Sequence, residues 1–339
     1  MDMNTQWRLI ERPTGEVERK HFEVVQSPKP VPGSGEVLVR NIYMLVPPSM
    51  RLWMNEKESY MPPQQLGRTM TGITLGVVEA SNALGLPVGS YVNGMGGWQH
   101  WYRSQAEHLQ RIITHPDVPL AAYRTVLDVQ GLTAYCGLTE IGQPKAGETL
   151  VVTAAAGSVG SVACQLGKKL GLRVIGIAGG AEKCKWLIDE CGIDGAIDYK
   201  NEKVSARLDV LCPNGIDVVF ENVGGAVLDS IINRINKKAR IALCGLISAY
   251  NGASDQRVTS LMQLINKTAR MEGFLVLDYF HRAPEVIPKL QSWILDGSLK
   301  YELDVVHGLD NAVDAMSRVF HGRNRGTQLV QISPEAHLE

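Results

Sequence analysis

The stretch Thr149-Leu-Val-Val-Thr-Ala-Ala-Ala-Gly-Ser-Val-Gly160 constrains the fold more than any other part of the chain. Leu150 to Thr153 is a short apolar run of the kind that forms a strand buried on both faces. It leads into Ala155-x-Gly157-x-x-Gly160, and then into Ser161 to Leu170, whose pattern is helical and which Gly171 stops. A strand feeding a glycine turn that opens a helix lays a pyrophosphate on the helix N-terminus. Gly157 lets backbone approach the phosphate, and Gly160 lets helix and strand pack closely. Ala155 stands where the fingerprint usually has its first glycine, so the motif alone also fits an ordinary tight turn. The flanking strand and helix favour a dinucleotide site.

Strands and helices keep alternating beyond this point. Arg173 to Ile177 reads as a second buried strand, Glu182 to Cys191 as a helix stopped by Gly192, and Ile216 to Phe220 and Arg240 to Cys244 as further strands. This alternation predicts an α/β domain with a Rossmann, doubly wound parallel sheet. The first 120 or so residues differ. Glu36 to Tyr43 and Gly72 to Glu79 are strand-like, Pro28, Pro30, Pro32, Gly33 and Gly35 form a loop, and the pattern turns helical at Tyr123 to Gln130. Past residue 298 the alternation fades into a helix, Ala312 to Phe320, and a strand, Thr327 to Ile332. The expected division is a mainly β domain over 1–127, a nucleotide domain over 128–298 and a C-terminal return to the first domain over 299–339.

Composition narrows the class of partner. With 45% hydrophobic and 20% charged residues and a net charge of −1, the 339-residue chain has no basic footprint for nucleic acid or an anionic membrane. It has no run of about eighteen apolar residues that would span a bilayer. The polar N-terminus, Met1 to Gln6, does not resemble a signal peptide. Cys136, Cys164, Cys184, Cys191, Cys212 and Cys244 are scattered with no C-x-x-C spacing, and the histidines form no ligand pattern. Cys184 and Cys191 fall on one expected helix face without a histidine nearby. The expectation is a cytoplasmic protein with buried free thiols and no metal site.

The end of the second strand points to the cofactor. NAD-preferring sites place an acid there for the ribose hydroxyls. Here it reads Ala178-Gly-Gly-Ala181, with Lys183 one turn into the next helix, an arrangement that suits a 2′-phosphate. The competing reading is an ordinary exposed lysine beside Glu182.

Several segments, taken in order, resemble the zinc-independent medium-chain dehydrogenase/reductases, in particular the leukotriene B4 dehydrogenase/prostaglandin reductase and bacterial curcumin reductase group. They are Val88 to Gly94, Gly131-Leu-Thr-Ala-Tyr135, Ala154 to Gly160, Glu182-Lys183, Ile197-Asp-Tyr-Lys200, Phe220-Glu-Asn-Val-Gly-Gly225, Cys244-Gly-Leu-Ile-Ser-Ala-Tyr250, and Asn324 with Gly326. The resemblance implies a GroES-like N-terminal domain, a Rossmann domain, a homodimer, and NADPH-dependent reduction of an α,β-unsaturated ketone or aldehyde. Where the group usually has Asp-Pro-Tyr-Met-Arg, this chain has Pro47-Pro-Ser-Met-Arg51. That segment lies near the substrate cleft in the family, so the pocket is expected to differ. The zinc-enzyme Gly-His-Glu pattern and four-cysteine lobe are absent from the sequence.

The expected cofactor contacts are Gly157, Ser158, Val159 and Gly160 for the pyrophosphate, and Lys183 and Tyr199 for the 2′-phosphate. Asn222, which would otherwise make an Asx-turn, and Cys244, Gly245, Leu246, Ile247, Ser248, Ala249 and Tyr250 follow strand ends, as do Phe274, Leu275 and Val276. Asn324 resembles the family residue that closes over the cofactor. Tyr250 is the catalytic candidate: its phenol would donate a hydrogen bond to the carbonyl oxygen as an enolate forms. Tyr250 as mere support for the cofactor ribose is the alternative. At the level of the whole protein, a quinone reductase and a redox-inactive NADPH-binding protein stay open. The run Met271 to Leu277 is the expected edge strand through which a dimer would pair.

Overall fold

The chain divides into two compact units, Met1–Arg124 with Leu303–Glu339, and Thr125–Glu302. The computed structural model describes residues 3–57, 59–252 and 257–335.

The second unit is built on six parallel strands: β1 (Thr149–Thr153), β2 (Arg173–Ala178), β3 (Gly195–Asp198), β4 (Ile216–Glu221), β5 (Ile235–Leu243) and β6 (Arg270–Gly273). Their spatial order is 3-2-1-4-5-6, the doubly wound Rossmann order, which reverses beside β1. Helices α1 (Ser158–Lys169), α2 (Ala181–Asp189), α3 (Val204–Leu211) and α4 (Gly225–Ile232) connect successive strands. Every residue of β1 is buried, as a central parallel strand with both faces covered requires. One face packs Val151, Ile175, Ile197, Val219 and Ile241 against Leu208, Leu228, Ile231 and Ile232.

Three local expectations give way. The helix expected over Tyr123 to Gln130 is instead a 3-10 turn, Leu120–Arg124, followed by an α-helix from Val129, because Asp128, at φ −148° and ψ −147°, is not helical and interrupts the run. The helix α2 ends at Asp189, so Cys191 lies past it and shares no helix face with Cys184. The edge strand β6 stops at Gly273, and Val276–Arg282 winds into a 3-10 helix, so the run to Leu277 is only half strand.

The first unit is mainly β. A hairpin pairs Met3–Leu9 with Phe22–Pro28, and a seven-stranded sheet is centred on Glu36–Leu45 and Ile73–Ser81. The C-terminal strand Thr327–Gln331 pairs antiparallel with Glu36–Leu45 and in turn carries Leu303–His307. The tail also completes the core: Ala312, Met316 and Val330 join Trp7, Phe22, Trp53, Met70 and Trp98. Phe22 and Trp98 stack with ring centroids 5.1 Å apart. Met50 and Arg51, the pair kept from the family segment, are both buried here. The Arg51 guanidinium donates to Pro13 O at 2.7 Å, Gly15 O at 3.0 Å and Asn55 Oδ1 at 2.6 Å, so it ties loops together.

Candidate active site

In the Rossmann unit the candidate residues all follow the carboxyl ends of the parallel strands, the edge where ligands bind in open α/β sheets. After β1 the chain turns sharply. Ala154 takes the left-handed conformation at φ +48°, an arrangement that costs a non-glycine residue about 1–2 kcal/mol. The strained position is therefore Ala154, one residue before the Ala155 that replaces the fingerprint glycine. Gly157 caps α1, and the first intrahelical bond runs from Ser161 N–H to Gly157 O at 2.9 Å. The N–H groups of Ser158, Val159 and Gly160 precede it and project from the helix N-terminus. A Cβ on Gly160 would lie 2.4 Å from Ala154 O and 2.9 Å from Ala155 Cα, so no larger residue fits between helix and strand. On Gly157 it would lie 3.1 Å from Ala154 O, tight but without a collision. The turn is a glycine cradle of the kind that can lay a pyrophosphate on a helix N-terminus.

At the end of β2, Gly179 is covered by two side chains from the β3 end: a Cβ added there would meet Tyr199 Cε1 at 2.9 Å and Lys200 Cε at 3.0 Å. The Tyr199 ring thus lies over the turn that opens α2, whose first turn carries Lys183. Asp198 holds this turn. Its Oδ1 accepts from Gly180 N–H at 2.7 Å and Lys200 N–H at 3.1 Å, and its Oδ2 from the Asn201 amide at 2.7 Å. The Asn201 amide, together with those N–H groups, keeps its carboxyl below the usual range. Sequence reading passed over both Asp198 and Lys200, although both stand inside the Ile197 to Lys200 segment.

Past β4 and β5 two loops are laced together. Cys244 N–H and Gly245 N–H donate to Glu221 O at 2.9 and 3.1 Å, Ile247 N–H to Asn222 O at 3.0 Å, and Ser248 N–H to Val223 O at 3.1 Å. The Asn222 side-chain amide donates to Thr153 O at 2.8 Å, which fixes it on β1 and leaves its carbonyl oxygen pointing away from that bond. It makes no Asx-turn. Glu221 holds the turn instead: its Oε1 accepts from Val223 N–H at 2.6 Å and Gly224 N–H at 2.7 Å. Glu221 is fully buried, and burial pushes its carboxyl up to about 7. Burial pushes the Cys244 thiol up to about 12, which leaves it unreactive. Tyr250 closes the loop, its hydroxyl oxygen accepting from Leu246 N–H.

Phe274, Leu275 and Val276 follow β6, where the Phe274 ring meets Phe220 edge-on at 6.3 Å. Asn324 belongs to the other unit, where its side-chain amide donates to Gly326 O at 2.9 Å. Among the described residues no group of three His, Cys, Asp or Glu side chains is placed to hold a metal ion.

A Rossmann sheet with a glycine cradle, in one chain with a mainly β unit, defines a medium-chain dehydrogenase/reductase fold. Residues 5–112 match the family described as the N-terminal domain of oxidoreductase, and residues 158–292 the family described as zinc-binding dehydrogenase. The chain is 37% identical over 336 residues to NADPH-dependent curcumin reductase of Escherichia coli (strain K12), covering 97% of each chain. It is 41% identical over 305 residues to 2-alkenal reductase (NADP(+)-dependent) of Nicotiana tabacum, covering 89% of each. The structure of CurA from Vibrio vulnificus in complex with NADPH superposes with a TM-score of 0.92 at 40% identity, over 98% of this chain and 100% of that one. The protein belongs to the zinc-independent group of the medium-chain dehydrogenase/reductases.

Proposed function

We propose that this protein is an NADPH-dependent oxidoreductase that reduces the carbon–carbon double bond of α,β-unsaturated ketones and aldehydes. The observation that carries the reading is the laced pair of loops after β4 and β5, which sets Tyr250 beside the strand ends with its hydroxyl oxygen anchored. NADPH, when bound, supplies hydride to the β-carbon of the substrate.

The chain's own residues do the rest. The glycine cradle and the N–H groups of Ser158, Val159 and Gly160 hold the pyrophosphate, and the helix dipole favours its charge. Lys183 pairs with the 2′-phosphate while Tyr199 packs over the same turn. Asn222, the backbone of Cys244 to Ala249, and Phe274, Leu275 and Val276 form the nicotinamide wall; Asn324 is a further cofactor-binding candidate on the family resemblance alone. Tyr250 donates its proton in a hydrogen bond to the substrate carbonyl oxygen as negative charge builds there. Solvent delivers the proton that the α-carbon takes up, so the double bond gains one hydride and one proton. The same reading assigns the domain limits 1–127, 128–298 and 299–339.

A homodimer belongs to this reading. Leu261, Met262 and Ile265, just before the edge strand β6, and Leu275, Leu277 and Phe280, just after it, are exposed apolar side chains of the sort a partner covers. Six free thiols suit a reducing compartment, which supports a cytoplasmic location, and among the described residues no helix is long and apolar enough to cross a membrane.

The test is NADPH oxidation with a linear enone and, in parallel, a quinone, with the product identified. A saturated ketone from the enone is the expected result. Turnover of the quinone alone would make this a quinone reductase, and cofactor binding with no turnover of either would make it a binding protein.

A further inference from the structure

The sequence gives no sign that the acid ending β4 is unusual, yet Glu221 is a carboxylate buried at the heart of the laced loops. Its side chain is 0% exposed. One oxygen, Oε1, accepts two backbone N–H groups, and the other, Oε2, is enclosed with no hydrogen-bond partner among the described residues. The groups that act on the carboxyl come from three strand ends: the Thr153 hydroxyl at the last residue of β1, the N–H groups of Asn222, Val223 and Gly224 after β4, and the Cys244 thiol after β5. Among the described residues, none of these groups is a lysine, arginine or histidine.

Two states of the carboxyl are possible in such a place. Ionised, it would leave an unneutralised charge on an enclosed oxygen, a heavy penalty in a low-dielectric interior. Neutral, it leaves one hydroxyl without an acceptor, which costs far less. Either state keeps Oε1 as the acceptor for Val223 and Gly224.

We propose that Glu221 is a positioning residue that, as a neutral carboxylic acid, clamps the Asn222–Gly224 turn and thereby sets the Cys244–Tyr250 loop. The mechanical link is short. The carboxyl fixes Val223 and Gly224, and the carbonyls of Glu221, Asn222 and Val223 then receive the N–H groups of Cys244, Gly245, Ile247 and Ser248. The upward push of burial on this carboxyl, to about 7, agrees with the neutral state below neutrality.

The role in cofactor binding rests on the function proposed above, whereas the protonation state does not, so two measurements separate them. The first uses cofactor-free protein. A carboxyl raised in the folded state binds its proton more tightly there than when unfolded. Its stabilising contribution is full below the unfolded value of about 4.3 and is lost as pH rises toward 7. Glu221→Gln keeps the shape and the acceptor but cannot titrate. The melting temperature of Glu221→Gln should therefore gain on wild type by roughly 5 °C between pH 5 and pH 8. Parallel melting profiles over that range would overturn the neutral acid.

The second is NADPH binding followed by cofactor fluorescence at pH 6. Glu221→Gln should bind within about twofold of wild type, because the clamp remains. Glu221→Ala should bind about tenfold or more weakly, because two buried N–H groups lose their acceptor. Unchanged NADPH affinity in Glu221→Ala would overturn the positioning role while leaving the melting result standing. Should Glu221→Ala not fold, Glu221→Asp, whose shorter stem withdraws the acceptor, takes its place with the same expected weakening.

Discussion

The Tyr250 hydroxyl oxygen accepts a hydrogen bond from the backbone N–H of Leu246 at 3.1 Å. That bond uses a lone pair and not the proton, and it holds the phenol in place. A Cβ on Gly245 would come within 3.2 Å of the same oxygen, so the loop wraps closely around the hydroxyl. Tyr250→Phe removes the donor and also the acceptor for Leu246. If the hydroxyl stabilises the enolate, kcat and kcat/KM should fall together by about 10²-fold, the low end for one such donor. NADPH affinity should change little. An unchanged kcat, in an enzyme whose rate responds to deuterated NADPH, would reduce Tyr250 to support of the cofactor.

Lys183 stands in the first turn of α2, and the Tyr199 ring and the Lys200 stem cover Gly179, two residues before that helix begins. Asp198, the acid of this corner, has both oxygens engaged by Gly180, Lys200 and Asn201. A 2′-phosphate would meet a lysine ammonium at the turn rather than a bare carboxylate. One charge-assisted hydrogen bond contributes about 1.5–3 kcal/mol, so Lys183→Ala should weaken NADPH binding roughly 10- to 100-fold. NADH binding should barely move. Equal losses for both cofactors would remove Lys183 from the phosphate site.

The two glycines of the cradle should fail in different ways. At Gly160 an added methyl collides with Ala154 O at 2.4 Å, and both partners are backbone. Gly160→Ala should cost about 3 kcal/mol, the upper part of the range for overpacking, and lower the melting temperature by roughly 6–12 °C. At Gly157, with φ −82° and ψ 175°, alanine is conformationally acceptable. Gly157→Ala should melt within a few degrees of wild type yet bind NADPH about tenfold more weakly, because the methyl stands where the phosphate approaches. Equal melting temperatures for the two variants would contradict the close helix–strand contact.

Prolonged dialysis against a strong chelator should leave enone reduction intact. The reason is positive chemistry, since in the mechanism proposed above the Tyr250 phenol would stabilise the developing charge without a Lewis acid. Stoichiometric zinc in the purified protein, with activity lost on its removal, would contradict this.

The parts of this protein legible in its sequence are those that rest on local pattern. The β1 run, the glycine turn and α1 were readable because burial on both faces demands an unbroken apolar strand, and close packing demands Gly160. Elements that depend on distant partners were not. Leu303–His307 carries Asp304 in mid-strand, which reads as a loop until Arg318 is seen to pair with it at 2.6 Å. Glu221 looks like a solvated strand end, and only the flanking strands β1 and β5 enclose it. Ala154 gives no signal at all, because alanine is not a residue type that marks a left-handed turn. The residue types of the loops after β4 and β5 are recoverable by resemblance, but the lacing between them belongs to tertiary structure.

The last prediction concerns assembly. Helix Met262–Asn266 turns Leu264 into the core and leaves Met262 62% and Ile265 71% exposed. It precedes the edge strand β6, whose outer side has no neighbour in the six-stranded sheet. A two-fold axis along that edge would pair β6 with its copy and cover the apolar side chains at once. Each of these side chains, fully covered, contributes about 1.5–3 kcal/mol. A Met262→Glu, Ile265→Glu double variant places like charges across the axis, so it loses that burial and adds repulsion. Sedimentation at micromolar concentration should show wild type as a dimer and the double variant as a monomer that still melts cooperatively and still binds NADPH. A wild-type protein that sediments only as a monomer would remove the dimer, and a double variant that stays dimeric would move its interface elsewhere.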